Sequence, residues 1–261
     1  MPSQDASALL FLKDNGQPTG YTSITDSLGQ GSSGWERAGT PYVYVPLVQD
    51  ASYNRSSVIY VTNTGTKDTT VSVTFYNPVG TSYSGGSFVL SPHLRHTINV
   101  GTYTPNNNVY SARLTSSNNQ PLAAVVLERD DYPLNNRPGM YNAFSSSSYS
   151  LLGPMVKKNF YSHTTGIALQ NVSTTTATFT ATYYDMNGQQ VGSPVTGSIP
   201  ANSPYVLYNP SQIPDNFLGT VKISSTAPLV GQMTEADVSG GSVQMYNLVF
   251  GGSTQVHLPL Q

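Results

Sequence analysis

The chain contains no cysteine, which removes a disulfide frame, a thiolate nucleophile and thiolate metal ligands together, and leaves either redox compartment open. Charge is scarce as well. Asp, Glu, Lys and Arg make up 9% of the residues and the formal net charge is −2, against roughly 25% charged residues in ordinary soluble domains. This balance excludes a general electrostatic attraction to nucleic acid or to an anionic membrane. No membrane span is expected, because the apolar run near the start, Ala8 to Leu12, is far short of the ~20 residues a spanning helix needs. That run also has no basic stretch before it, so the start does not read as a signal peptide. The expectation is a removed leader, with Met1 an added start, or a chain that begins at a cut site. Helical periodicity is missing except for one expected turn in the loop Pro210 to Phe217. No Gly-x-Ser-x-Gly elbow, His-Glu-x-x-His pair or phosphate loop occurs, and an enzyme is not expected.

Ser, Thr, Asn, Gly and Tyr fill the space that charge leaves, with 23 Gly and 18 Tyr. Such a surface is hydrated through hydroxyls and amides, as in secreted or capsid-like β proteins. The sequence also repeats. VIYVTNTGTKDTTVSVTFYNPVG from Val58 aligns with IALQNVSTTTATFTATYYDMNGQ from Ile167, so that Asn171 follows Asn63 by 108 residues, Tyr183 answers Phe75 and Gly188 answers Gly80. Alternating apolar and hydroxyl residues, a polar turn and a second alternating run describe a hairpin of half-buried strands. Asn63 and Gly65 suit a turn that needs positive φ.

In repeat one, strands are expected at Val43 to Val48, Val58 to Thr62, Thr70 to Tyr76, Ser87 to Leu90, Arg95 to Val100, Val109 to Thr115 and Leu122 to Glu128. Pro46 interrupts the first, VYVPLV, and Pro154 sits at the same place in LLGPMV. Proline cannot donate to a ladder, so this strand belongs at a sheet edge or carries a bulge. The expected fold is all-β: two tandem immunoglobulin-like β-sandwich domains with an extended N-terminal arm and a C-terminal strand. The boundaries are an arm over 1–40, repeats over 41–148 and 149–253, and a strand over 254–261. The arm, mostly loop beyond Ala8 to Leu12, reads as the tail of a repeat, and VHLPLQ from Val256 reads as the opening strand of another.

Candidate chemistry is thin. His93 and His96 flank Leu94-Arg95, but in a strand that spacing sends them to opposite faces, with no third zinc ligand nearby. His163 and His257 read as surface residues. Glu128 and Asp130 end one repeat, and Glu235 and Asp237 end the other. Carboxylates two apart on a strand point the same way and, with loop carbonyls, can hold calcium; polar strand ends simply facing water are the plainer reading. No other cofactor is expected. Tyrosines offer sugar-stacking platforms, although Tyr60, Tyr76, Tyr183 and Tyr184 lie in strand runs and fit core or cross-strand roles. Asn54-Arg55-Ser56 and Asn171-Val172-Ser173 match the glycosylation acceptor pattern.

The VYVPLV-type opening strand, the turns at Val61-Thr62-Asn63 and Leu169-Gln170-Asn171, the Tyr183 to Gly188 passage and the closing Ala227-Pro228-Leu229 strand resemble uncharacterised immunoglobulin-like tandem modules of bacterial secreted and cell-surface proteins. Repeat one departs from them, with Phe75-Tyr76-Asn77-Pro78 in place of Tyr-Tyr-Asp. The resemblance implies an extracellular setting and a structural or adhesive role. Together with the split repeat it leads to one expectation: a subunit of a surface filament, a homopolymer assembled head to tail by strand donation. The donor candidates are Ala8, Leu9, Leu10, Phe11 and Leu12 in the arm, then Val256, Leu258 and Leu260 at the other end. An alternative is a fragment of a surface adhesin or carbohydrate-binding array, with surface glycans as partners. A further alternative is a virion surface or tail protein.

Overall fold

The computed structural model of the protein describes residues 8–14, 17–24, 41–130, 137–237 and 242–250, with the backbone alone along 8–24. The described structure is antiparallel β-sheet, joined by turns and one 3-10 turn at Val100–Thr102. The donor candidates Val256, Leu258 and Leu260 and the strand over 254–261 lie outside the described residues, as do Trp35 and His257.

β1 (Ala8–Asp14) pairs with β2 (Gln17–Ile24) in a two-stranded hairpin. A second strand therefore occupies what the sequence presented as loop; Thr19, Tyr21, Thr22 and Ile24 are residues that favour extended backbone.

Repeat one begins with β3 (Tyr42–Asp50), β4 (Arg55–Asn63), β5 (Thr69–Tyr76) and β6 (Ser82–Leu90). It continues with β7 (Arg95–Asn99), β8 (Asn108–Ser116), β9 (Leu122–Asp130) and β10 (Gly139–Asn142). The strand expectations hold for the first seven, and β10 is added where the chain turns back. Two four-stranded sheets result, in the orders β3-β8-β5-β6 and β10-β9-β4-β7. Alternate residues of β4 and β5 point between them: Ile59, Val61, Val71, Val73 and Phe75 are buried with Tyr110 and Leu114 in one cluster. As expected of Pro46, β3 is an edge strand and its register slips between Val45 and Val48.

Repeat two runs through β11 (Ser148–Lys158), β12 (His163–Asn171), β13 (Ala177–Asp185) and β14 (Gln190–Ile199). β15 (Pro204–Tyr208), β16 (Phe217–Asp237) and β17 (Val243–Asn247) complete it. β16 serves both sheets. Its first part pairs with β11 and β13, its last part with β12 and β17, so the orders β11-β16-β13-β14 and β17-β16-β12-β15 reproduce those of repeat one. Repeat one spends five residues, Ser117 to Pro121, between the matching strands, and repeat two spends three, Thr226 to Pro228. The shorter link leaves no room for a turn, and the strand bends from one sheet into the other. β11 slips register between Gly153 and Val156, around Pro154. Leu169, Phe179, Ile199 and Leu229 fill the second buried cluster.

Three local devices recur at matching positions. Asn63 is fully buried; its amide donates to the carbonyls of Lys67 at 2.8 Å and Leu90 at 2.9 Å. Asn171 likewise donates to Thr175 at 2.6 Å and Ile199 at 3.0 Å. The expectation of positive φ at Asn63 and Gly65 fails, since neither adopts it. Gly65 is small for space instead: a Cβ there would meet the Gln120 side-chain oxygen and lie 2.9 Å from Pro121 Cδ. Positive φ is used one turn later. Gly80 and Gly188 have φ of 94° and 76°, in turns where Asn77 and Asp185 accept hydrogen bonds from backbone N–H groups two and four residues on. Finally, the hydroxyls of Tyr141 and Tyr246 donate to the carbonyls of Leu47 and Met155, each the residue after the bulge proline. Burial raises both phenol pKa values well above the ordinary range, which keeps the donated proton in place.

The loop Pro210 to Phe217 is a set of turns, not a helical turn. Lys158 Nζ donates to the carbonyls of Pro210 at 3.0 Å and Ile213 at 2.8 Å, which pins the loop around the turn that the Ile213 N–H closes on the Pro210 carbonyl.

The two repeats pack sheet against sheet. The outer face of β3-β8-β5-β6 receives the outer face of β17-β16-β12-β15: Ser111 Oγ donates to the Asn202 carbonyl at 2.6 Å and Gln170 Nε2 to the Ala112 carbonyl at 3.2 Å. At the rim, Asn247 Nδ2 of β17 donates at 2.9 Å to the Asn142 carbonyl of β10, on the other sheet of repeat one. Ala168 and Met245 of repeat two join the buried cluster of repeat one. Ser111, Gln170 and Gln232 are wholly removed from solvent.

Candidate functional site

The four carboxylates singled out in the sequence come to the ends of β9 and β16. Glu128 and Asp130 share a strand face, as their spacing requires, but that face is inward: they are 1% and 4% exposed. Strand ends that merely face water are therefore ruled out for this pair. Their charge is met by arginine. Arg55, directly across the ladder from Asp130, places Nε 3.8 Å from Glu128 Oε2 and Nη1 3.5 Å from Asp130 Oδ1. Arg137 Nε lies 2.6 Å from Asp130 Oδ2, and its Nη1 donates to the Asp237 carbonyl at 3.3 Å, tying repeat one to repeat two. Ser57 Oγ donates to Glu128 Oε1 at 3.4 Å. Burial outweighs Arg55 and Ser57 and lifts the Glu128 carboxyl to about 7.

Repeat two keeps the carboxylate and changes its partner. Glu235, at the position of Glu128, is 3% exposed. Lys157 Nζ lies 2.6 Å from its Oε1 and His163 Nε2 3.9 Å away. Lys157 stands where repeat one has Gln49, and His163 where it has Arg55. The surface reading of His163 missed this contact. Calcium needs six to eight oxygens; here each buried acid already faces a basic side chain, and among the described residues no three of His, Cys, Asp and Glu group as metal ligands.

The other sequence candidates separate. His96 stacks on Phe88 at 3.7 Å between centroids, while His93 sits in a loop with its N–H donated to the Asn63 carbonyl. Arg95 lies over the ring of Tyr60 at 5.0 Å. Tyr183 is core, packed edge-on to Phe217, and burial pushes its hydroxyl up to about 12. Of the two glycosylation-type triplets, Asn171 is buried and bonded, whereas Asn54 is exposed.

No protein-family model and no curated protein matches the chain. Among solved structures, the PBSX exported protein XepA is similar at 8% identity over 72% of this chain and 82% of its own, with a TM-score of 0.24. A β-glucuronidase of Bacteroides uniformis is similar at 10% identity over 93% of this chain and 31% of its own, with a TM-score of 0.20. A glycosyl hydrolase family 2 member from Bacteroides cellulosilyticus is similar at 8% identity over 90% of this chain and 33% of its own, with a TM-score of 0.19. The chain spans about a third of each hydrolase. At TM-scores this low the likenesses carry no functional argument.

One open feature remains at the β3–β4 turn. Ala51, Tyr53 and Asn54 have φ of 51°, 54° and 55°, and Asn159, Tyr161 and Ser162 repeat this at 51°, 47° and 61°. Positive φ is uncommon for such residues. The two tyrosines are 82% and 83% exposed. Beside Tyr53 lies a cleft of about 460 Å³ lined by Ser52, Asn54, Asn107, Asn108 and Val109. Among the described residues no helix is long and apolar enough to cross a membrane.

Proposed function

We propose that the protein is an extracellular structural protein, a subunit of a surface filament in which immunoglobulin-sized sandwich repeats continue from one copy to the next. The module departs from immunoglobulin connectivity at both ends: β3 and β4 lie in opposite sheets, and so do β8 and β9, whereas the first two immunoglobulin strands share one sheet and the last two share the other. The contact between the repeats carries this reading. It joins two different faces of two like units, and a heterologous contact of that kind extends into a filament unless its rotation closes a ring. The placement of β1–β2 agrees with it: β2 lies alongside β10 as β10 lies alongside β17. The hairpin is paired only with itself among the described strands, and an isolated two-stranded hairpin is marginal alone. Donation between copies would then use the β1–β2 pair, with Ala8 to Leu12 as its first strand. Negative-stain microscopy of the full chain, with light scattering over a wide concentration range, tests the reading. Filaments or growing oligomers are expected; a monomer at every concentration contradicts it.

A second reading, a glycan-binding surface array, draws on the Tyr53 cleft, whose phenol, hydroxyl and amides suit a neutral sugar. Saturation-transfer NMR with neutral oligosaccharides, lost in Tyr53→Ala, supports it; no transfer to any of them rules it out.

A further inference from the structure

We infer that the outer face of the β10-β9-β4-β7 sheet is a docking surface for a second copy of this chain, and that its occupant is the outer face of the neighbour's β11-β16-β13-β14 sheet. This rests on the filament reading and names the surfaces that would build it. The basis is a position-by-position match with the contact already made inside the chain.

On repeat two the docking face is a plug. The cross-strand pairs Ala168–Gln232 and Gln170–Val230 point outward from it and are 0–2% exposed, because repeat one covers them. The same register in repeat one holds Tyr60–Val125 and Thr62–Ala123. Those residues are half-buried, and Ala123 is exposed. A patch of tyrosine, valine, alanine and threonine, with Arg95 lying over its tyrosine, thus stands partly accessible where the equivalent patch is sealed.

The socket repeats too. Ser111, buried under repeat two, corresponds to Thr220, and its neighbours Arg113 and Tyr76 correspond to Lys222 and Tyr184. Hydroxyl, cation and phenol are kept in order. Thr220 is only half-buried, so the socket of repeat two is open while that of repeat one is filled. Each chain then carries one open plug and one open socket at opposite ends of a stack of four sheets. Two such faces meet between copies without any residue changing its role.

The test uses the full chain in three forms. Val125→Glu places a charge in the plug and Thr220→Glu places one in the socket, and a charge left unpaired in a closed contact disfavours it strongly. Light scattering of the wild type is expected to show open-ended oligomers. Each variant alone is expected to remain monomeric at concentrations about tenfold higher, which corresponds to about 1.4 kcal/mol. An equimolar mixture of the two is expected to give a 1:1 dimer and nothing larger, since each variant keeps one sound face. Circular dichroism melting checks folding, and Thr62→Arg replaces Val125→Glu if the latter unfolds. Unchanged oligomers in both variants overturn the assignment of faces while leaving the filament reading standing. A monomeric wild type overturns both.

Discussion

Repeat one and repeat two share a frame and differ in how they neutralise it. Both bury a glutamate near the end of the same strand, opposite a hydroxyl residue that also accepts a backbone N–H: Ser57 from Gln49 at 2.7 Å, Thr165 from Lys157 at 3.0 Å. In repeat one the countercharge comes from Arg55 on β4, and in repeat two from Lys157 on β11. A further exchange lies one residue on. Asp50 accepts from Thr104 Oγ1 at 3.1 Å to hold the β7–β8 connection, while Lys158, in its place, holds the β15–β16 connection through carbonyls. The frame thus tolerates reversal of charge at one buried position, provided the loop facing it supplies the complementary group. The buried acid is the invariant, and its partner is local to each repeat.

Transplanting one solution into the other breaks the comparison most severely. Lys157→Gln puts the repeat-one residue into repeat two and leaves Glu235 buried beside an imidazole 3.9 Å away; a loss of about 3–4 kcal/mol is expected, the range for removing one partner of a buried pair. Adding His163→Arg, which supplies the counterpart of Arg55, is expected to recover more than half. Urea unfolding midpoints of the two variants check this.

The second effect concerns pH. The Glu128 carboxyl titrates near 7 in the folded protein against an ordinary value of 4.5, so the folded state holds a proton that the unfolded chain gives up. Its contribution is full below about pH 4.5 and is lost as pH rises through 7, a change of about 3 kcal/mol. Stability measured at pH 5 and pH 8 should therefore fall more in the wild type than in Glu128→Gln; parallel profiles contradict the assignment.

Asn63→Ala and Asn171→Ala come next, at about 2–3 kcal/mol each, because each strips a buried amide from at least two carbonyls. Equal losses would show that the corner is a property of the frame. The smallest effects are at the turn glycines: Gly188→Ala should cost about 1 kcal/mol from positive φ alone, since nothing lies within 4 Å of the added carbon. Gly80→Ala should cost slightly less, because the added carbon gains an ordinary contact with Pro200 of repeat two at 3.4 Å. Thermal melts order the pair.

Much of this frame was legible in the sequence. Alternation along Val58 to Tyr76 located the strands, and Pro46 and Pro154 located the bulged opening strands. What sequence could not convey was direction across distance. Glu128 and Asp130 look like a solvated strand end until Arg55, more than seventy residues earlier, is brought across the ladder. Asn63 reads as a turn former because asparagine tolerates positive φ; it does shape the turn, but by accepting from the Gly65 N–H and donating to Lys67, while a second bond ties the turn to Leu90 on β6. β10 is not legible because four residues after a long polar link carry little periodicity. Continuity of β16 depended on a two-residue shortening whose effect shows only when the sheets are assembled.

The central claim is that the contact between the two repeats recurs between copies, and the absence of cysteine allows a direct test. In the internal contact Ser111 meets Asn202; the equivalent positions are Thr220 and His93. A full chain carrying His93→Cys and Thr220→Cys, oxidised and run without reductant, should give a ladder of covalent oligomers that collapses on reduction. A mixture of the two single-cysteine variants should give mainly the heterologous dimer. Monomer alone, under conditions where a Ser111→Cys, Asn202→Cys chain closes its internal disulfide, would contradict the account.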